Sequence, residues 1–183
     1  MSPHLYLDTS VILDAIHKRW QPSVDLIKRI KTENWLCSTA RFTVLEILDV
    51  EQEETFIENL RAQGLLLSKI RGLLGNRRQN AWSLKKRELD EIYVELYEQL
   101  SAEFPFITFE HPLVAELWDK AEDYCSATNI GATDAIHLAH AVIIGCDILV
   151  TRDNDFRRIA DDYILSILPE QIESALRRLR RSS

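Results

Sequence analysis

His4-Leu5-Tyr6-Leu7 is a short apolar run that ends at Asp8-Thr9-Ser10, after which Val11, Ile12, Ala15 and Ile16 recur at helical spacing. The pattern predicts a strand, a cap and a helix. Trp35-Leu36-Cys37 predicts a second strand. Ser38 and Thr39 are N-cap candidates for a helix over residues 40–50, with Phe42, Leu45, Ile47 and Leu48 as its apolar positions. Residues 51–103 are rich in Leu, Glu, Lys and Arg, with Gly64, Gly72 and Gly75 as the few breakers. They predict two or three amphipathic helices, with residues 76–80 as an exposed turn. Residues 104–109 are aromatic and β-branched, a third strand with Pro105 near its start. A helix opening at His111-Pro112 runs through Leu113, Leu117, Ala121 and Tyr124. A loop over 128–133 then leads to a very apolar helix over 134–144, stopped by Gly145. Residues 147–151 read as a fourth strand and 163–168 as a fifth, before a C-terminal helix led by Pro169.

Strands alternating with helices predict an α/β fold: a mostly parallel sheet of four or five strands with helices on both faces, joined by right-handed crossovers. In such sheets ligands bind outside the carboxyl ends of the strands. A chain of 183 residues with 46% hydrophobic positions has the size of one domain that buries its own core. The expectation is therefore a single domain over 1–183 with a helical insertion at about 51–103.

The formal net charge of −7 argues against a protein that holds nucleic acid with its whole surface, since phosphate binding rests on excess Lys and Arg. It leaves room for a nuclease, because bound divalent cations reverse the sign of an acidic pocket. Lys69, Arg71, Arg77, Arg78, Lys85, Lys86 and Arg87, and Arg177, Arg178, Arg180 and Arg181, are two basic stretches that suit either a phosphate backbone or a solvated helix face. No apolar run approaches the roughly 18–20 residues of a membrane span, and no basic segment leads the chain. Cys37, Cys125 and Cys146 lie far apart without Cys-x-x-Cys spacing, which reads as core thiols in a reducing cytoplasm.

Asp8 follows one buried strand and Asp153 follows Thr151 at the end of another, so both carboxylates are expected at the same rim of the sheet. Each alone also suits a plainer role, Asp8 or Thr9 as a helix cap and Asp153 with Asp155 as an Asx turn. Asp134 opens an apolar helix, where an interior carboxylate needs a cation that residues 129–133 do not supply. Glu46 has Phe42 and Val50 at i−4 and i+4, placing an acid in line with apolar residues. Three or four carboxylates with little His or Cys make an all-oxygen site, which suits Mg²⁺ or Mn²⁺ rather than structural zinc. The expected chemistry is in-line attack of a metal-activated water on a phosphodiester. Thr9, Ser10 and Thr151 are hydroxyls placed to orient the ligands. Arg152 and Asn154 suit contact with a substrate phosphate or ordinary turn roles. His137 and His140 read as packing or surface residues, with His137 supporting the ligands rather than joining them.

Leu7-Asp8-Thr9-Ser10-Val11-Ile12, the mid-helix Glu46, Thr133-Asp134-Ala135-Ile136-His137-Leu138-Ala139 and Val150-Thr151-Arg152-Asp153-Asn154-Asp155-Phe156 together resemble the PIN-domain family, in particular the VapC-like ribonuclease toxins and their relatives. The match in order and spacing spans nearly the whole chain. The resemblance implies an α/β/α sandwich, a Mg²⁺ or Mn²⁺ site and endoribonuclease activity. It assigns Asp8, Glu46, Asp134 and Asp153 to an acidic quartet, with Asp155 sharing or replacing the role of Asp153. It also implies an RNA substrate, a homodimer and an antitoxin partner whose tail fills the active-site groove. The stretch after Glu46 is longer than in the compact toxins and basic around Lys69 to Arg87.

Two alternatives stand beside this reading. One is a PIN-like module that binds RNA or protein without turnover, although all four acidic positions are filled. The other is a DNA-directed nuclease, since the same metals serve DNA. An aspartyl-nucleophile phosphatase is disfavoured: it wants a second Asp two residues after the first, and position 10 is Ser.

Overall fold

The computed structural model describes residues 2–74, 84–111 and 115–182. These fall into two compact units, one of Met1–Thr43 with Phe106–Ser183 and one of Val44–Pro105. In the first unit β1 (His4–Leu7), β2 (Leu36–Ala40), β3 (Thr108–Glu110), β4 (Ile148–Val150) and β5 (Leu165–Ile167) form one sheet in the order β3-β2-β1-β4-β5. Every pairing is parallel, with Leu5 opposite both Cys37 and Ile148, and Leu7 opposite Val150. The expected α/β/α architecture with a central parallel sheet is therefore what the chain forms. Among the described residues no helix is long and apolar enough to cross a membrane.

Side-chain alternation divides the sheet between two cores. Tyr6 and Leu149 join one face with Leu117, Ala121 and Tyr124 of α6 (Ala115–Thr128) and Ala135, Leu138 and Ala139 of α7 (Ala132–Ile143). Leu5, Leu7, Ile148 and Val150, equally inaccessible, belong to the other face. A parallel sheet covered on both sides needs near-continuous apolar strands, which β1 and β4 supply. Connecting and flanking helices are α1 (Thr9–His17), α2 (Gln21–Glu33), α8 (Asn154–Ala160) and α9 (Ile172–Ser182). α3 (Phe42–Ala62) starts at the last residues of the first unit's opening segment. The second unit also holds α4 (Leu67–Leu74) and α5 (Lys86–Glu103) and buries Phe56, Ile70, Ile92, Leu96 and Leu100. Within it the Asn59 amide donates to Glu88 at 2.8 Å, and Glu88 accepts the Lys85 amide at 2.7 Å to close the start of α5.

Several boundaries differ from the sequence expectation. Ser38 and Thr39 are not helix caps but buried residues of β2. Thr39 Oγ1 donates to the Leu7 carbonyl and pairs with Thr43 Oγ1, both at 2.7 Å, so two hydroxyls are satisfied inside the sheet. β3 is confined to Thr108–Glu110; Phe104 instead closes α5, its amide on the Leu100 carbonyl. α7 begins at Ala132, two residues before Asp134. The Asx turn expected of Asp153 with Asp155 is present, and it serves as the N-cap of α8. The turn expected at 76–80, including Arg77 and Arg78, and the helix start at Pro112 and Leu113 lie outside the described residues.

Candidate active site

The strand order reverses between β1 and β4: the chain builds outward through β2 and β3 on one side and through β5 on the other. Side chains that leave the carboxyl ends of these two strands face the crevice where open parallel sheets bind ligands. Asp8 is the residue after β1, and its amide continues the ladder by donating to the Val150 carbonyl at 3.0 Å. Its side chain is not a cap for α1; with 7% exposure it accepts Ser10 Oγ at 2.6 Å and Thr151 Oγ1 at 2.7 Å, both on Oδ2. Oδ1 accepts no bond from any described residue.

Thr151, fully buried after β4, joins two of the expected ligands. Its hydroxyl donates to Asp8 and accepts the Asp153 amide at 3.0 Å. Asp153 then uses Oδ1 to accept the amides of Asp155 and Phe156 at 2.7 and 3.0 Å, an N-cap for α8, leaving Oδ2 open among the described residues. Asp155 turns to solvent, where Arg158 donates to it at 2.6 Å one turn on. Asn154 is exposed and within 3.5 Å of Arg157 Nη2.

Asp134 lies in the first turn of α7, whose N-cap is Gly131. A Cβ at position 131 would stand 3.4 Å from Asp134 Oδ2, so glycine leaves room beside the carboxylate. His137, three residues on, anchors this helix end to β1: its Nδ1 lies 2.7 Å from Tyr6 Oη and its Nε2 3.4 Å from Thr9 Oγ1. The Tyr6 phenol also accepts the Ala40 amide at 3.1 Å, and burial pushes its pKa well above the ordinary tyrosine value. His137 and His140 are thus both interior residues and neither is a surface histidine. Burial drives the His140 ring down to about 4. Glu46 stands half-buried in α3, within the second unit.

A hard divalent cation asks for carboxylate oxygens not already committed to protein donors. Asp8 Oδ1 and Asp153 Oδ2 meet that demand, and the set is all oxygen. No three of Asp8, Asp134, Asp153 and Asp155 bring ligand atoms within 4.8 Å of one another. Direct ligands of one Mg²⁺ at about 2.1 Å must lie closer than that, so the arrangement fits an ion held by one or two carboxylates with water completing the shell.

The pattern of the sequence did not single out Asp14, Trp20 or Ser23. Asp14 is 3% exposed in α1 and accepts Ser23 Oγ at 3.0 Å and the Arg152 guanidinium at 2.5 Å. The signal available was an acid set between Val11, Ile12 and Ala15, Ile16, which demands a cation that only a distant residue provides.

The PIN domain family model matches residues 5–162, and the chain belongs to the PIN-domain family, whose members are generally nucleases. Among solved structures the chain is similar to VapBC2 from Rickettsia felis, crystallised bound to a DNA fragment from their promoter. That likeness has a TM-score of 0.53 at 15% identity and covers 90% of this chain and 97% of the other. No curated protein matches the chain's sequence.

Proposed function

We propose that this protein is a Mg²⁺- or Mn²⁺-dependent endoribonuclease, the toxin of a toxin–antitoxin pair acting in the cytoplasm, with its site on Asp8, Asp134 and Asp153. The observation that carries the reading is the pair of open carboxylate oxygens, Asp8 Oδ1 and Asp153 Oδ2, tied through one buried hydroxyl at the switch point of the sheet. A bound cation would activate the attacking water and stabilise the leaving oxygen. Ser10 and Thr151 hold the Asp8 carboxylate in one orientation, so little reorganisation is needed when charge develops. Thr9 is oriented through His137, and Arg152 and Asn154 at the exposed rim take the substrate phosphate. Asp155, paired with Arg158 in solvent, lends charge rather than ligation.

RNA as substrate, a homodimer and an antitoxin are what the resemblance to VapC-like toxins implies, and the VapBC2 neighbour was crystallised on a fragment of promoter DNA. The test is incubation with single-stranded and structured RNA and DNA in Mn²⁺, Mg²⁺ or EDTA, beside Asp8→Asn and Asp134→Asn. Asn at position 8 keeps a carbonyl for Ser10 and Thr151, so the fold survives while cleavage is lost. An unchanged rate in either variant sinks the site; cleavage of DNA alone would reassign the substrate.

A further inference from the structure

Arg152 is held beside the carboxylates by both its backbone and its side chain. Its backbone amide donates to Ser10 Oγ at 3.2 Å, and Ser10 in turn donates to Asp8. Its guanidinium is held by the buried Asp14 carboxylate, which Ser23 Oγ also braces. From that anchor the guanidinium carbon lies 5.2 Å from the centre of the Trp20 ring. Both remain open to solvent, Trp20 at 40% and the Arg152 side chain at 42%. Trp20 precedes α2 in extended conformation, and its carbonyl accepts the Ser23 and Val24 amides at 3.1 and 3.2 Å, which fixes its backbone at the helix start.

The result is a rigid cationic and aromatic step one residue from Asp153. Planar guanidinium and indole surfaces are what unstacked bases pack on in single-stranded nucleic acid, and the remaining guanidinium donors suit a neighbouring phosphate. We propose that Trp20 and Arg152 form a nucleotide subsite, in which a base flanking the scissile phosphate stacks on this step. The inference rests on the nuclease reading for the identity of the ligand.

Binding of the full chain to oligoadenylate and to an abasic strand of equal length, both in EDTA, isolates stacking from backbone contacts and from cleavage. Trp20→Leu is expected to weaken oligoadenylate binding by roughly 5- to 150-fold and leave the abasic strand unaffected. Trp20→Phe, which keeps an aromatic face, restores most of the loss, and Arg152→Gln weakens both strands. Wild-type affinity of Trp20→Leu for both strands would overturn the subsite and leave Trp20 as a surface for protein or solvent; equal loss on both would reduce it to a structural prop. Cleavage that needs Asp8 but ignores Trp20 removes this inference alone, whereas base-dependent binding without cleavage removes the hydrolytic reading and retains the subsite.

Discussion

Replacing Thr151 with Val removes one hydroxyl from a fully buried position and changes little in volume. Two bonds go with it: the 2.7 Å donation to Asp8 Oδ2 and the 3.0 Å acceptance of the Asp153 amide. A hydrogen bond to a charged group contributes about 1.5–3 kcal/mol, and an orphaned amide costs about 1–3 kcal/mol, less where solvent reaches it. Asp8 keeps Ser10 as a donor and Asp153 is exposed, so the lower ends apply, and a loss of about 2–4 kcal/mol is expected. For a chain of this size that lowers Tm by about 5–15 °C. The catalytic loss is expected to be larger in proportion, about a hundredfold, because a carboxylate displaced by an ångström no longer meets its target. Thermal melts in EDTA and initial cleavage rates in Mn²⁺ read the two effects separately. Thr151→Ser keeps the hydroxyl and serves as control, losing only a methyl contact of about 1 kcal/mol. If Thr151→Val melts and cleaves like Thr151→Ser, the hydroxyl bridge carries neither stability nor geometry and the argument for the site fails.

Two further outcomes follow from the same geometry. Asp153→Asn is expected to abolish cleavage, whereas Asp155→Asn, which breaks only a solvent-exposed pair with Arg158, leaves the rate within a few-fold; the reverse order would move the ligand assignment to Asp155. His140 is held neutral in the native state down to about 4 but protonates near 6.5 when unfolded, so unfolding takes up a proton between these values. Stability is therefore full above 6.5 and falls as the pH drops towards 4. Urea titrations at several pH values should show this slope, and His140→Leu should flatten it.

β1, β4 and the carboxylate rim were legible because burial on both faces leaves uninterrupted apolar runs, each followed within three residues by an acid. Leu5 to Asp8 and Ile148 to Asp153 are clear on that ground alone. Ser38 and Thr39 were misplaced because hydroxyls satisfied by the Leu7 carbonyl and by Thr43 look, in one dimension, like caps. α2 drew no prediction: its buried Leu26, Ile27 and Ile30 are interleaved with Lys28, Arg29 and Lys31, and the ion pair of Arg29 with Glu173 is visible only in three dimensions. Asp153 and Asp155 were indistinguishable by spacing; what separates them is that the Asp153 carboxylate caps α8 beside its amide's bond to Thr151, whereas the Asp155 carboxylate pairs with Arg158 in solvent. The Trp20 step was illegible because Asp14, Trp20 and Arg152 come from opposite ends of the chain.

The bond between Thr151 and Asp8 spans 143 positions of sequence. A ribosome therefore emits the first carboxylate long before the strand that completes its setting, and nothing resembling the finished pocket exists until β4 has emerged and docked beside β1. Fragments from interrupted translation would carry Asp8 without its hydroxyl partner. In such a fragment the Asp8 carboxylate keeps Ser10 as a donor and lacks the one that follows β4.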